Sequence, residues 1–417
     1  MKLRTFSRTT LERTSTGLVS LGAAVLSGAV LSGVVLSACG TSTPPNGSGG
    51  TLAGGSGGVA SGGTGGGSGG SASGGADSGG SASGGVEAAG GTAAGGTAGV
   101  DCSQPSDAGP LTTRLPCQLS LTGLYEADMV TLAEGVHTYS PTFHLWTDSA
   151  AKKRWIQLPA DTQIDTTDMD FWVFPPGTKL WKEFSRDDVR VETRLLEKQS
   201  SGAWRAVAYQ WREDQLEADA VPNGQQNASG TPHDIPNADD CMTCHSQQPD
   251  KILGFSAIQL SHEPADAADT LEWTLQSLID DELLTAPPAA PFTVPGTAEE
   301  VAFFGYLHSN CGHCHNPTGT ANAQTGLDMW LKVADLDGPV SEFSVYQNLV
   351  DVDIVKTDGA HPAAAKRVVP GSFADSAVYQ RFMDKTAEWT MPPLGTEDVD
   401  PAGQAAMEAW IGSLPPP

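Results

Sequence analysis

The sequence predicts a multidomain chain, a β-rich, sandwich-like domain followed by a mainly α domain, both behind a disordered Gly-rich tether. Three observations predict this. From Gly40 to about Gly99 the chain is almost only Gly, Ser, Ala and Thr. Between 118 and 230 it carries short runs of aromatic and β-branched residues. At 297–310 and 401–413 apolar residues recur at helical spacing, the first run behind a capping signal.

The N-terminus has Lys2, Arg4, Arg8 and Arg13, then an uncharged apolar run from Leu18 to Leu36, then Leu36-Ser37-Ala38-Cys39. A basic segment, an apolar core and small residues before a cut describe a secretory signal over 1–38. The cysteine directly after it matches the bacterial lipoprotein signal, in which Cys39 is lipidated. A transmembrane helix fits less well, because the run is rich in Gly, Ser and Ala and no basic cluster follows it. Gly40 resembles the outer-membrane sorting pattern, so the expected location is the outer membrane, reached through a lipid anchor. Residues 39–100 then form the tether. A segment so poor in large side chains cannot offset its ordering entropy by burial, and about sixty residues of such coil span roughly 45 Å.

The formal net charge is −26, and −29 once the signal, with its four basic residues and Glu12, is removed. That charge argues against nucleic acid as a partner and suits a basic redox protein.

The β-rich domain is expected over 101–232. Arg154-Trp-Ile-Gln-Leu158, Met169-Asp-Phe-Trp-Val-Phe174, Val189-Arg-Val-Glu-Thr-Arg-Leu195 and Trp204-Arg-Ala-Val-Ala-Tyr-Gln-Trp211 read as strands. Pro175-Pro-Gly177 and Ser200-Ser-Gly202 supply turns, the second making a hairpin. Short strands at this spacing predict a sandwich or small barrel. His137 and His144 invite a copper reading, but no third soft ligand lies near them in sequence.

Seven cysteines need assignment. Cys39 takes the lipid. Cys102 and Cys117 bracket a Pro- and Asp-containing loop and are expected to form a disulfide in an oxidising compartment. The other four form Cys241-Met-Thr-Cys244-His245 and Cys311-Gly-His-Cys314-His315. Cys-x-x-Cys-His is the signature of covalent haem attachment: one helical turn presents both thiols to the vinyl groups, and the adjacent His faces the iron. A four-cysteine zinc site usually separates its pairs by about 15–20 residues, whereas 66 lie between Cys244 and Cys311. A thioredoxin-like pair lacks the βαβ context. The motifs therefore predict two covalently bound haem c groups, with His245 and His315 as proximal iron ligands.

Around the second motif, Thr297-Ala-Glu-Glu300 opens a helix running to Asn310, and Trp389-Thr-Met391-Pro392-Pro393 precedes a helix from Pro401 to Ser413 bearing Ala405, Met407, Trp410 and Ile411. This order resembles class I cytochromes c over residues 297–417, which implies a cytochrome c-like C-terminal domain with Met391 as distal ligand of the second haem. Arg367-Val-Val-Pro-Gly-Ser372 and Ser376-Ala-Val-Tyr-Gln-Arg381 resemble a block found in many secreted bacterial cytochrome c domains. A thioether ligand raises the haem potential.

The first motif opens a segment over 233–296 with a helix expected around Asp269–Leu284. No methionine lies between Met242 and Met329, so its distal ligand is a histidine or is absent. His233 is favoured, because Pro232 and Pro236 constrain its loop; His262 and His144 are alternatives, and a loop histidine held by ordinary hydrogen bonds is the competing account. Bis-His ligation gives a lower potential than His/Met, so electrons would pass from the first haem to the second.

The blocks Tyr139-Ser-Pro-Thr-Phe-His-Leu-Trp146, Phe174 to Phe184 and Val191-Glu-Thr-Arg-Leu195 resemble an uncharacterised family of secreted bacterial dihaem proteins over residues 118–417. The functional expectation is a membrane-tethered dihaem cytochrome that moves electrons between redox partners. A dihaem oxidoreductase of peroxidase type, with its chemistry at the first haem, and a surface-binding protein using the β-rich domain are the alternatives.

Overall fold

The computed structural model describes residues 116–264, 271–355 and 361–416. The signal segment, Cys39, the tether and Cys102 lie outside the described residues. Cys117 is disulfide-bonded, while Cys241, Cys244, Cys311 and Cys314 are free thiols. The described residues form one compact unit.

Its centre is a six-stranded antiparallel sheet in sequential order: β1 (His137–Thr138), β2 (Ala151–Gln157), β3 (Lys179–Arg186), β4 (Val189–Lys198), β5 (Trp204–Trp211) and β6 (Ala218–Ala220). The β3–β4 turn is Asp187-Asp188, both with positive φ (48° and 62°), as a two-residue turn matching strand twist requires. The expected hairpin at 200–202 is β4–β5, closed over Gln199–Ala203 with Gly202 at φ 83°.

Alternate residues of the central strands enter different cores. Trp155, Trp181, Leu195 and Val207 pack on one face with Leu119, Leu124 and Trp211. Ile156, Leu180, Leu196 and Ala206 pack on the other with Cys241, Phe255, Leu260 and Leu275. Each face is thus covered by loops and short helices. The expected second sheet of a sandwich is not found among the described residues; helical and irregular segments supply those layers instead.

Residues 169–174 do not join the sheet. Trp172 and Phe174 are buried edge-on against Phe255. The Phe174 N–H donates to Asp250 Oδ2, and Asp170 Oδ1 accepts from the Val333 N–H. Side chains from distant segments meet backbone and side-chain groups that the sequence reading assigned to a strand.

Seven helices of the described residues follow: α1 (Ala238–His245), α2 (Leu275–Asp280), α3 (Ala298–Asn310), α4 (Thr320–Thr325), α5 (Ser344–Leu349), α6 (Ala377–Met383) and α7 (Pro401–Ser413). The helix expected around Asp269–Leu284 is shorter, running only from the Thr274/Ser277 capping box to Asp280. The helices expected at 297–310 and 401–413 form as α3 and α7. A Thr297/Glu300 capping box starts α3, and the Asp400 carboxylate caps α7. They pack through Trp410, stacked on Phe303 at 4.0 Å and edge-on to Phe304 at 4.9 Å. Gly403 lies against Tyr306 so closely that a Cβ there would collide with the ring. No described helix is long and apolar enough to cross a membrane.

Candidate cofactor site

The first motif occupies the last turn and a half of α1. The Asn237 side chain accepts from the N–H groups of Asp239 and Asp240, and the two acids favour this N-terminus. Cys241, Cys244 and His245, at spacings of three and four, therefore share one helix face. Cys241 is buried on the sheet, and all three line a cavity of about 860 Å³, within the roughly 300–1,000 Å³ typical of cofactor pockets.

The orientation of His245 has a traceable cause. Its Nδ1 lies 2.6 Å from the Lys251 carbonyl oxygen, which leaves Nε2 for a ligand. That carbonyl is anchored by its neighbour Asp250. The Asp250 carboxylate pairs with buried Lys198 on β4 at 2.6 Å and accepts from Trp204 Nε1 and the Phe174 N–H. Burial pushes the His245 pKa down to about 4, despite the Lys251 carbonyl, so the ring is neutral, as a metal ligand must be.

The second motif follows α3 as a turn rather than riding on a helix. Cys311 caps α3, and the N–H groups of Cys314 and His315 both donate to the Cys311 carbonyl. Gly312 sits so close to the His308 carbonyl that a Cβ would lie 2.7 Å away. Burial likewise lowers His315 to about 4, against the nearby Leu327 carbonyl, which raises it. The segment beside it is fastened by Arg367, which donates to the carbonyls of Thr325, Gly326 and Asn348 and to Asn348 Oδ1. The His315 carbonyl accepts from the Met329 N–H.

The fold brings the two motifs together despite the 66 intervening residues. The ligand atoms of Cys244, His313 and Cys314 lie within 4.8 Å of one another. The Cys314 thiol donates to the Cys244 sulfur, lowering Cys244 and raising Cys314. Gln247, two residues beyond His245, accepts from Thr318 and Thr320 beyond the second motif. As free thiols the trio could hold a soft ion; as thioethers the two sulfurs carry no charge for one.

The remaining predicted ligands fare differently. His233 is buried and lines the first cavity, but its Nε2 is 2.7 Å from Glu192 Oε2, a carboxylate already held by Arg194. His262 has both ring nitrogens against carbonyls, of Glu263 and Ser140. The His144 backbone is tied to the end of α3 through Asn310 and Ser309, while the residue itself is exposed. His137 stacks on Trp273 at 4.0 Å. The Met391 N–H donates to the Arg381 carbonyl, and Arg381 is among the charges acting on His315.

Two histidines of this cavity escaped the sequence reading. His308 is 2 % exposed, and burial drives it down to about 3. Its Nδ1 accepts from the Leu331 N–H, so Nε2 carries the proton, and that buried N–H has no acceptor. His313 Nδ1, Trp330 Nε1 and Gln248 Nε2 are also buried without partners, and all four residues line the first cavity. Orphaned buried polar atoms around one cavity are the mark of a missing occupant. The nearest sequence signal was the place of His308 three residues before Cys311, on the buried face of α3.

No protein family, curated protein or solved structure matches this chain.

Proposed function

We propose that the chain is a dihaem c-type cytochrome that carries electrons between redox partners. The observation that carries the reading is the pairing of two Cys-x-x-Cys-His motifs in one compact unit, with the free Nε2 of a neutral His245 beside a cavity of cofactor size. In each motif the two thiols would hold the haem as thioethers, each S–H adding across a vinyl C=C bond with sulfur on one carbon and hydrogen on the other. Bound haem supplies a one-electron iron couple. The chain's residues would do the rest: His245 and His315 present neutral imidazoles, and the close approach of Cys244 to Cys314 holds the two sites within short electron-transfer reach. Met391 as second distal ligand, the lipid at Cys39, an outer-membrane location and a basic partner belong to the same proposal. So do the cytochrome c-like character of the α3–α7 region and the resemblance to secreted dihaem proteins.

Pyridine haemochrome assay with zinc analysis of the purified full chain tests the reading. Two haems per chain and no stoichiometric zinc are expected; zinc without haem would show that Cys244, His313 and Cys314 hold a metal instead.

A second reading is favoured by the engagement of His233 Nε2 with Glu192 and of both His262 nitrogens with carbonyls. If neither of these, nor His144, His308 or His313, turned to the first haem, an open position would be left there and the chain would be a peroxidase-type oxidoreductase. Cyanide titration separates the two: a low-spin first haem unaltered by cyanide sinks the enzyme reading.

A further inference from the structure

The sheet wall of the first cavity carries charge in an arrangement that the fold alone does not explain. In the strand register Arg154 on β2 faces Lys182 on β3, and Lys182 faces Arg194 on β4. Three cations thus stand side by side on one sheet face, where like charges directly opposite destabilise a sheet. Arg186, at the end of β3, extends the set, and all four line the cavity. Only Arg194 has a carboxylate, Glu192, which it holds at 2.6 Å. Among the described residues Arg154, Lys182 and Arg186 pair with no acid. Arg154 is only 7 % exposed, and the buried Arg186 Nε has no acceptor. The cavity's own acids, Asp234, Asp240 and Glu397, are exposed, and partly buried Asp148 accepts from the N–H groups of Glu397 and Asp398. Buried uncompensated cations are costly unless an anion meets them.

We propose that this wall is a carboxylate-binding site that holds the propionate groups of the first haem and raises that haem's reduction potential. The inference rests on the dihaem reading. A guanidinium and an ammonium in adjacent strands suit two carboxylates on one edge of a planar ligand. Cations paired with the propionates offset negative charge that would otherwise stabilise the oxidised, more positive iron. The wall therefore opposes the low potential that bis-His ligation would give and draws the two haems closer in potential.

The test uses the full-length holoprotein and the variants Arg154→Gln and Lys182→Gln, the second keeping the test alive should the buried arginine be needed for folding. Haem per chain is counted first, then both haems are titrated spectroelectrochemically; Met391→His marks the second haem's wave. Two haems are expected in each variant. At fixed applied potential, the reduced-to-oxidised ratio of the first haem should fall about tenfold per charge removed, a shift of 59 mV for one electron, while the second haem moves less. Two haems with both waves unmoved would overturn the proposal. So would a change in the first haem's spectrum on adding succinate, because the cations would then be free to take an external carboxylate. A wild-type count other than two would instead sink the dihaem reading, and the inference with it.

Discussion

The two Cys-x-x-Cys-His motifs are one pentapeptide pattern in two mechanical settings. The first rides on a short capped helix pressed against a sheet, and its histidine is aimed by a carbonyl whose neighbour, Asp250, is fixed by a buried ion pair to β4. The second follows a long helix as a turn, and Arg367 fastens the loop beside its histidine through four hydrogen bonds from its guanidinium to neutral amide oxygens. The first setting is electrostatic, with cations at its wall; the second is held by packing and backbone polarity. The difference teaches that one five-residue pattern can sit in unlike surroundings, so that on the proposed dihaem reading the electronic character of each haem would be set by what the fold places around it.

On the proposed dihaem reading, the largest expected effect is loss of one cofactor at a time. Cys241→Ala with Cys244→Ala, and Cys311→Ala with Cys314→Ala, should each lower the haemochrome count from two to one; a count of zero from either pair would show the sites to be interdependent. Next, Asp250→Ala leaves Lys198 buried without its partner and should cost about 3–5 kcal/mol in denaturant unfolding, with a changed spectrum at the first haem alone. Arg367→Ala should cost about 2–4 kcal/mol through orphaned carbonyls and disturb only the second. Equal disturbance of both haems by either variant would break the contrast. Thr297→Ala, which removes the α3 cap, should cost about 1 kcal/mol and leave haem content at two.

The smallest effect concerns Asp170, next to Phe171, whose ring stacks on Trp330 at 5.3 Å. Burial there raises Asp170 to about 6 from its ordinary value of 3.8. The folded state holds this proton more tightly than the unfolded chain, so stability falls as pH climbs from about 4 through 6 and stays lower above that window. Asp170→Asn keeps an acceptor for the Val333 N–H without the charge. Its melting temperature should exceed the wild type's at pH 8 and equal it at pH 4; a gain at pH 4 as large as at pH 8 would contradict the assignment.

Local signals told most where they were strongest. The capping box at Thr297, the turn at Ser200–Gly202 and the first Cys-x-x-Cys-His motif are short-range patterns, and each takes its expected conformation, whereas the second motif forms a turn beyond α3. Strand β3 escaped notice because it is buried on both faces and carries Lys182 and Glu183 amid its apolar residues, so its alternation is not the polar/apolar kind. The strand expected at 169–174 has the right composition, but its N–H and side-chain groups are claimed by Asp250 and Val333, some 80 and 160 residues away. The meeting of Cys244 with Cys314 and the row Arg154–Lys182–Arg194 depend on register and long-range packing, which spacing along the chain does not encode.

The most direct test of the central claim is proteolysis of the native protein followed by mass spectrometry of the two motif peptides. The account predicts that the peptide containing Cys241 and Cys244 and the peptide containing Cys311 and Cys314 each carry one haem joined through both sulfurs. Unmodified thiols, or a disulfide between Cys244 and Cys314, on peptides from the mature protein would contradict it.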